Sequence, residues 1–179
     1  GTGLVIWLVP TDAIRTQTLR TLRDREHPYR KTLDKFFPNG VNIFDNNEAL
    51  HIKKSDINDN LSIIVSTFSA LKREEKNRES LRVYKENGDL QNHFQNIVDT
   101  TIDLEKEKDG TVIPSLINVI RMANPIIMID EGHKAAGKLS KEMLRELNPS
   151  FILEYTATPK NSNVLVTVTA DELDNENMI

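Results

Sequence analysis

The sequence predicts an α/β domain built on a parallel sheet with helices on both faces. Short apolar runs alternate with helical patterns along most of the chain, which is typical of strand–helix–strand units joined by right-handed crossovers. The clearest apolar runs are continuous rather than alternating, as expected of parallel strands that are buried on both faces. A length of 179 residues suits one core of this kind.

Four segments carry the strand pattern most clearly. They are short, rich in β-branched or aromatic residues and bounded by polar residues, and they occupy residues 4–9, 61–65, 126–129 and 151–155. Residues 41–44 are a weaker candidate. Residues 164–170 alternate valine with other residues, which predicts a half-exposed edge strand at the end of the domain.

Helical patterns separate the strands and place apolar side chains on one stripe. They occupy residues 11–25, 29–37, 113–122 and 140–147, and the third has Pro114 in its first turn. Thr11 and Asp12 are expected to cap the first helix, and Ser140 the last one. The Asn124-Pro125 pair ends the third helix, because proline cannot continue it.

One region interrupts this rhythm. Residues from about 72 to 110 are dense in charges of both signs and hold only scattered apolar side chains, which predicts a helical insertion with a solvated face. A Lys108-Asp109-Gly110 turn closes it. We therefore predict one domain over residues 1–170 with this insertion, and a tail over residues 171–179 that leads out of the domain.

Composition excludes several classes of function. The chain has no cysteine, which excludes disulfide scaffolds, thiolate zinc sites and cysteine nucleophiles and fits a reducing compartment. Its formal net charge is -4, so any nucleic-acid contact must come from a local surface or from backbone donors. No apolar run approaches the roughly 18 residues of a membrane span, and the start lacks a signal-peptide pattern. We expect a cytoplasmic protein with no membrane partner.

The most informative residues follow the strand at 126–129. Asp130 and Glu131 lie at its carboxyl end, where parallel sheets bind ligands, and His133 comes two residues later. Asp130 can hold a hydrated magnesium ion, and Glu131 can orient and deprotonate a water molecule that attacks a phosphoryl group. His133 could report the state of the site through a hydrogen bond. The alternative is that both acids only cap the helix that follows.

Hydroxyl residues follow the strand at 151–155. Thr156 and Thr158 belong to a Thr-Ala-Thr-Pro turn, which can lie beside the two carboxylates and hydrogen-bond to them. Taken alone, this is a common kind of turn.

Two further strands end at a helix start with hydroxyl residues. Pro10 and Thr11 follow the first strand, and Ser66 and Thr67 follow the strand at 61–65. Free N–H groups at two neighbouring helix starts can hold successive phosphates of a nucleic-acid backbone, although simple N-capping is the alternative. Arg15 could add a phosphate contact or be solvated surface.

Together these segments resemble, in their order, the first motor domain of a superfamily 2 helicase or translocase. Residues 10–17 resemble motif Ia, 66–68 motif Ib, 130–133 the Walker B motif of the DEAD/DEAH class and 156–158 motif III. The runs LVPTDAIRTQT, VYKENGDLQNHF, MIDEGHKA and NPSFILEYTATPKN are similar to the restriction (Res) subunit of type III restriction-modification enzymes. The resemblance implies a three-layer RecA-like P-loop NTPase domain.

The resemblance also implies ATP and Mg²⁺ as cofactors, and a motor that couples ATP hydrolysis to movement on DNA. Asp130 would coordinate magnesium through water, and Glu131 would be the base for hydrolysis. His133, Thr156 and Thr158 would couple the nucleotide site to DNA. The DNA track would be lined by Pro10, Thr11, Asp12, Arg15, Ser66 and Thr67. A modification (methyltransferase) subunit and the second motor domain of the parent chain would be further partners.

One element of such motors is missing from the sequence. They need a G-x-x-x-x-G-K-[ST] loop ahead of motif Ia, because its backbone N–H groups cradle the phosphates and its lysine neutralises them. No such run occurs in the chain, and Gly1-Thr2-Gly3 is better explained as the turn that enters the first strand. We therefore expect a partial motor domain that does not hydrolyse ATP in isolation.

Two other classes of function remain open at this point. A metal-dependent phosphodiesterase or nuclease could use Asp130, Glu131 and His133 as direct metal ligands, and would cleave DNA without ATP. A non-catalytic DNA-binding module could retain the fold and lack the reaction.

Overall fold

Five parallel strands form the centre of the molecule. The computed structural model describes residues 2–71, 81–95, 97, 101–131, 138–157 and 163–167. Within these ranges the sheet has the order β2-β3-β1-β4-β5. The strands are β1 (Gly3–Val9), β2 (Val41–Phe44), β3 (Leu61–Thr67), β4 (Ile126–Asp130) and β5 (Phe151–Tyr155). The α/β class and the parallel sheet predicted from the sequence are confirmed.

Helices lie between the strands along the chain. The α-helices are α1 (Asp12–Arg23), α2 (Pro28–Phe36), α3 (Lys54–Asn58), α4 (Phe68–Leu71), α5 (Leu116–Ala123) and α6 (Lys138–Glu146). Three 3₁₀ helices span Glu48–His51, Arg82–Tyr84 and Gly88–Phe94. Among these helices, none has both the length and the apolar character needed to cross a lipid bilayer.

Each face of the sheet packs against its own apolar core. On one face, Val5 and Val9 of β1 pack with Leu22, on the inner side of α1. On the opposite face, Ile6 and Leu8 are fully buried among side chains of α5, α6 and the 3₁₀ helices. Because β1 alternates between the two cores, it is the central strand of a three-layer domain.

The chain leaves the neighbouring strands β1 and β4 in opposite directions across the sheet. From β1 it passes through α1 and α2 on one face to β2, whereas from β4 it passes through α6 on the other face to β5. Two crossovers that run in opposite directions on opposite faces have the same hand, as the right-handed rule requires. Such a switch point opens a crevice at the carboxyl ends of the strands, where ligands bind in open α/β sheets.

Local sequence signals fix several helix ends. Thr11 is the N-cap of α1, and its hydroxyl accepts a hydrogen bond from the Ile14 N–H at 3.3 Å, which confirms the predicted cap. Asn124 ends α5 in a left-handed conformation just before Pro125, as predicted. Pro114 lies before α5 rather than in its first turn, because the helix begins at Leu116 after Ser115.

Two other predictions, the Ser140 cap and the strand at 164–170, need correction. Ser140 is not a cap, because α6 begins two residues earlier, at Lys138. In the predicted insertion, the described segment 81–95 contains two 3₁₀ helices, and its apolar side chains are too scattered to form an α-helical stripe. Residues 163–167 are exposed and form no strand, because no described strand lies beside them to complete a ladder. Residues 168–170 and the predicted tail at 171–179 lie outside the described residues.

The turn that closes the insertion has the predicted position. The Gly110 N–H donates to the Glu107 carbonyl at 3.0 Å, and Gly110 has a φ of 89°, which favours glycine. The Thr111 N–H donates to the Asp109 carboxylate at 2.9 Å. This bond and one from the Thr111 hydroxyl lower the pKa of Asp109 below its ordinary value.

Candidate functional site

Four of the predicted polar segments meet at one edge of the sheet. The strands β3, β1, β4 and β5 are neighbours in that order, and all four are parallel. Their carboxyl ends therefore lie in one row, about 15 Å long at a strand spacing of about 4.8 Å. Along this row lie Thr67, then Pro10, then Asp130, then Thr156.

The two acids occupy the middle of this row. Asp130 is the last residue of β4, is half-buried and pairs in register with Tyr155 of β5. Glu131 follows with a φ of 56°, in the left-handed region. That backbone costs a residue with a Cβ about 1–2 kcal/mol, and the other described non-glycine residues with positive φ are both asparagines, which tolerate it. The chain therefore turns sharply at Glu131, against the preference of its own side chain.

The donor set at this position suits a magnesium ion bound to phosphates. Mg²⁺ takes oxygen ligands and is commonly held by one or two carboxylates together with waters and substrate phosphates. Asp130 and Glu131 supply two carboxylates, and Thr156 lies half-buried at the end of the neighbouring strand. A fully protein-built metal site would need more ligands. The described residues contain no group of three His, Cys, Asp or Glu side chains that could hold a metal ion.

Two residues predicted for this site, His133 and Thr158, lie outside the described ranges. Their distances to Asp130 and Glu131 are therefore not part of the structure. The nuclease alternative depends on His133 as a third ligand, and the described residues supply no substitute for it.

The helix start after β1 is exposed. Thr11, Asp12 and Ala13 are all exposed, and Pro10 is half-buried at the strand end. The Thr11 hydroxyl is engaged in capping, but the first N–H groups of α1 have no acceptor within the helix. Arg15 Nε donates to the Asp12 carboxylate at 2.9 Å, so the arginine is held over this first turn.

The end of β3 differs from what the sequence suggests. Ser66 is fully buried and Thr67 is 5% exposed. Ser66 Oγ donates to the Thr67 carbonyl at 3.3 Å, and Thr67 Oγ1 lies 3.0 Å from Ser69 Oγ. Both hydroxyls named from the sequence are therefore buried at this strand end, whereas Ser69 is exposed.

A buried polar network anchors the opposite end of β4 and β5. Arg121 of α5 donates to the carbonyls of Glu146 at 2.8 Å and Asp103 at 3.1 Å, and to the Glu105 carboxylate at 3.2 Å. The Asn148 amide donates to the Arg121 carbonyl at 2.9 Å. This network was not predicted from the sequence. The signal for it is an arginine inside an otherwise apolar helix, because such a side chain needs several acceptors when it is buried.

The scattered histidines have structural roles or lie on the surface. His27 Nδ1 accepts the Tyr29 N–H at the start of α2, and His93 Nε2 lies 2.9 Å from the Ile52 carbonyl. His51 Nδ1 lies 2.5 Å from the Asp89 carboxylate. Trp7 of β1 is half-buried and packs against the core on the α1 face.

A family model described as "Type III restriction enzyme, res subunit" matches residues 3–161. These residues include all five strands and the whole row of strand ends. The search of curated proteins gives no match.

Proposed function

This chain belongs to the type III restriction enzyme res subunit family, a family of RecA-like helicase domains, and from this premise we propose that it forms part of an ATP-dependent DNA translocase motor. In this proposal it is a partial first motor domain over residues 1–170. The observation that carries the proposal is the row of strand ends with Asp130 and Glu131 at its centre, because a parallel sheet binds its ligand at this edge.

The two acids divide the work of hydrolysis. Asp130 would hold a magnesium ion, and the bound ion would supply charge neutralisation at the phosphate oxygens. Glu131 orients the attacking water and accepts its proton, which is the role of the water-positioning residue in phosphoryl transfer. The left-handed backbone of Glu131 supports this assignment, since strained residues that are retained in a fold cluster at functional sites.

The neighbouring strand ends connect hydrolysis to DNA. Thr156, which follows β5 beside the acids, senses the nucleotide state, and His133 and Thr158 take part in the same coupling. On the other side, Pro10 and the exposed start of α1 receive a DNA phosphate, and Arg15 adds a positive charge beside it. Because β1 pairs directly with β4, a shift at the nucleotide site reaches Pro10 on the adjacent strand end.

One half of the sheet supports the proposal that the domain is partial. Ile126, Phe151 and Tyr155 lie on the face that α1 covers elsewhere, yet they are 42%, 50% and 49% exposed, and no described helix covers them. β5 is also an edge strand with an apolar sequence, which natural sheets normally cover or pair. Within the described residues, this place therefore lacks a covering helix and a strand paired with the free edge of β5.

The handedness of the fold indicates which segment fits there. Consider a further strand beside β5 that is connected to β1. The crossover from that strand to β1 would run in the same direction across the sheet as the crossover from β1 to β2. Its helix must then lie on the same face as α1 and α2, which is the face that is uncovered. We propose that a strand, a phosphate-binding loop and a helix that precede β1 in the parent protein complete the domain there.

The family also supports a proposal about partners and cellular context. We propose that the parent protein acts on DNA with ATP and Mg²⁺, and that a modification (methyltransferase) subunit supplies the recognition of the DNA site. The cytoplasm is the expected location, since the chain has no cysteine and its substrate is DNA.

The test is made in the full-length protein and replaces one carboxylate oxygen of Glu131 by an amide nitrogen. Glu131→Gln keeps the size and removes the proton acceptor, so DNA-stimulated ATP hydrolysis should fall by about 10²–10⁴-fold while ATP binding is retained. Glu142→Gln on the exposed face of α6 is the matched control and should leave hydrolysis unchanged. An unaffected rate in Glu131→Gln would remove Glu131 from the role of base.

A second test uses the 179-residue chain alone. It should show no DNA-stimulated ATP turnover, because the sequence has no phosphate-binding loop to hold the nucleotide. Turnover that is present in this chain and vanishes with Glu131→Gln would contradict the proposal that the missing loop is essential.

A further inference from the structure

A polar cleft lies between residues 51–55 and the 3₁₀ helix Gly88–Phe94. It has a volume of about 660 Å³ and shares no residue with the row of strand ends. Lys53, Lys54 and Ser55 line one wall, and Asn92 and His93 line the other. No lining residue has an apolar side chain, whereas sites for drug-like ligands are mostly apolar. The cleft therefore suits a small, strongly hydrogen-bonded ligand.

The charges in the cleft favour an anion. The ammonium groups of Lys53 and Lys54 form no ion pair with any described residue, so both are available to a ligand. The cleft holds one carboxylate, that of Asp89, and His51 Nδ1 already lies 2.5 Å from it. The cleft is therefore lined by two lysines and by the neutral donors of Ser55 and Asn92, and its one carboxylate, that of Asp89, is paired with His51.

The two walls are fixed relative to each other. The Asn87 amide donates to the Leu50 carbonyl at 2.6 Å, and His93 Nε2 lies within hydrogen-bond distance, 2.9 Å, of the Ile52 carbonyl. Ile52 and Leu90 are fully buried and anchor one wall each in the core. A cleft held in this way keeps its donors in place before a ligand arrives, which reduces the entropy cost of binding.

We infer that this cleft binds a phosphate group through Lys53, Lys54, Ser55 and Asn92. The same chemistry is offered by a phosphodiester of a DNA backbone and by a free phosphate compound. Binding of a DNA phosphate rests on the proposed function, whereas binding of a free phosphate compound does not. The inference concerns the cleft itself, which takes no part in the hydrolysis assigned to Glu131.

The test compares two double variants of the chain. Lys53→Gln with Lys54→Gln removes both charges of the cleft, and Lys106→Gln with Lys108→Gln removes two exposed charges elsewhere. Inorganic phosphate is titrated while the His93 ring is followed by NMR, and a fluorescent DNA duplex is titrated by anisotropy. Circular dichroism confirms that each variant is folded. A variant with Ser55→Ala and Asn92→Ala keeps the net charge and tests the neutral donors.

For the cleft variant we expect phosphate binding at His93 to weaken by about tenfold or more, because charge-assisted hydrogen bonds are removed. If DNA is the source of the phosphate, duplex affinity falls as well. The slope of log affinity against log salt concentration then becomes shallower by about 0.9 for each DNA phosphate that the variant no longer neutralises. If duplex affinity is unchanged, the source is a free phosphate compound. Absence of a phosphate effect at His93, or equal weakening in the control variant, overturns the inference. Neither titration measures ATP hydrolysis, so failure here is separate from failure of the proposed function.

Discussion

The buried Arg121 network gives the sharpest prediction about stability. Arg121→Ala removes hydrogen bonds to two carbonyls and to the Glu105 carboxylate, and the arginine side chain is only 6% exposed. Removing one partner of a buried ion pair costs about 3–5 kcal/mol, because the remaining charge loses the interaction that offsets its desolvation. With a urea m-value of about 2 kcal/mol/M, the unfolding midpoint should fall by about 1.5–2.5 M.

The control for this prediction removes an exposed ion pair. Lys31 Nζ lies 2.8 Å from the Glu26 carboxylate, with side chains that are 58% and 85% exposed. Lys31→Ala should cost less than about 1 kcal/mol, which is a midpoint shift below about 0.5 M. Arg121→Lys keeps the charge and loses the planar set of donors, so its shift should be intermediate. Equal shifts for Arg121→Ala and Lys31→Ala would refute the reasoning.

The network also bears on the site, because it holds the start of β4 and β5 in place. The Asn124 amide donates to the Asn148 carbonyl at 2.7 Å, and the Ser150 N–H donates to the Pro125 carbonyl at 2.9 Å. These bonds join the two connections that lead into the strands. In Arg121→Lys, hydrogen exchange of the β4 and β5 amides should therefore accelerate more than that of the β1 amides.

Two further predictions follow from backbone geometry and hydrogen bonding. The Glu131→Gly variant should melt about 1–4 °C higher than Glu131→Ala, because glycine adopts the φ of 56° without strain. Equal melting temperatures of the two variants would count against backbone strain at this residue. The carboxyl of Asp109 should titrate below the ordinary aspartate pKa in a carbon-detected NMR titration, with Thr111→Ala returning it part of the way. Because this pKa is lowered in the folded state, the contribution of Asp109 to stability is present above the ordinary aspartate pKa and is lost as the pH falls through the lowered value.

Some of the site could be predicted from the sequence because its signals are local. Asp130 and Glu131 directly follow a run of four apolar residues, and Thr11 directly precedes a helical stripe. A change of residue type at a strand end or a helix start is visible without knowledge of the fold. The burial of Ser66 is not visible in this way, because it depends on the neighbours that β3 acquires on both sides in the sheet.

The sequence by itself determined that this protein has parallel strands, where most of them lie, and which residues follow their carboxyl ends. Only the tertiary structure decided that β1 lies between β3 and β4, that Glu131 turns in a left-handed conformation, and that Arg121 joins segments far apart in the chain. The physical reason is the range of the interactions. Strand and cap patterns arise from residues within a few positions of each other, whereas strand order, burial and buried ion networks arise from partners that meet only when the chain has folded.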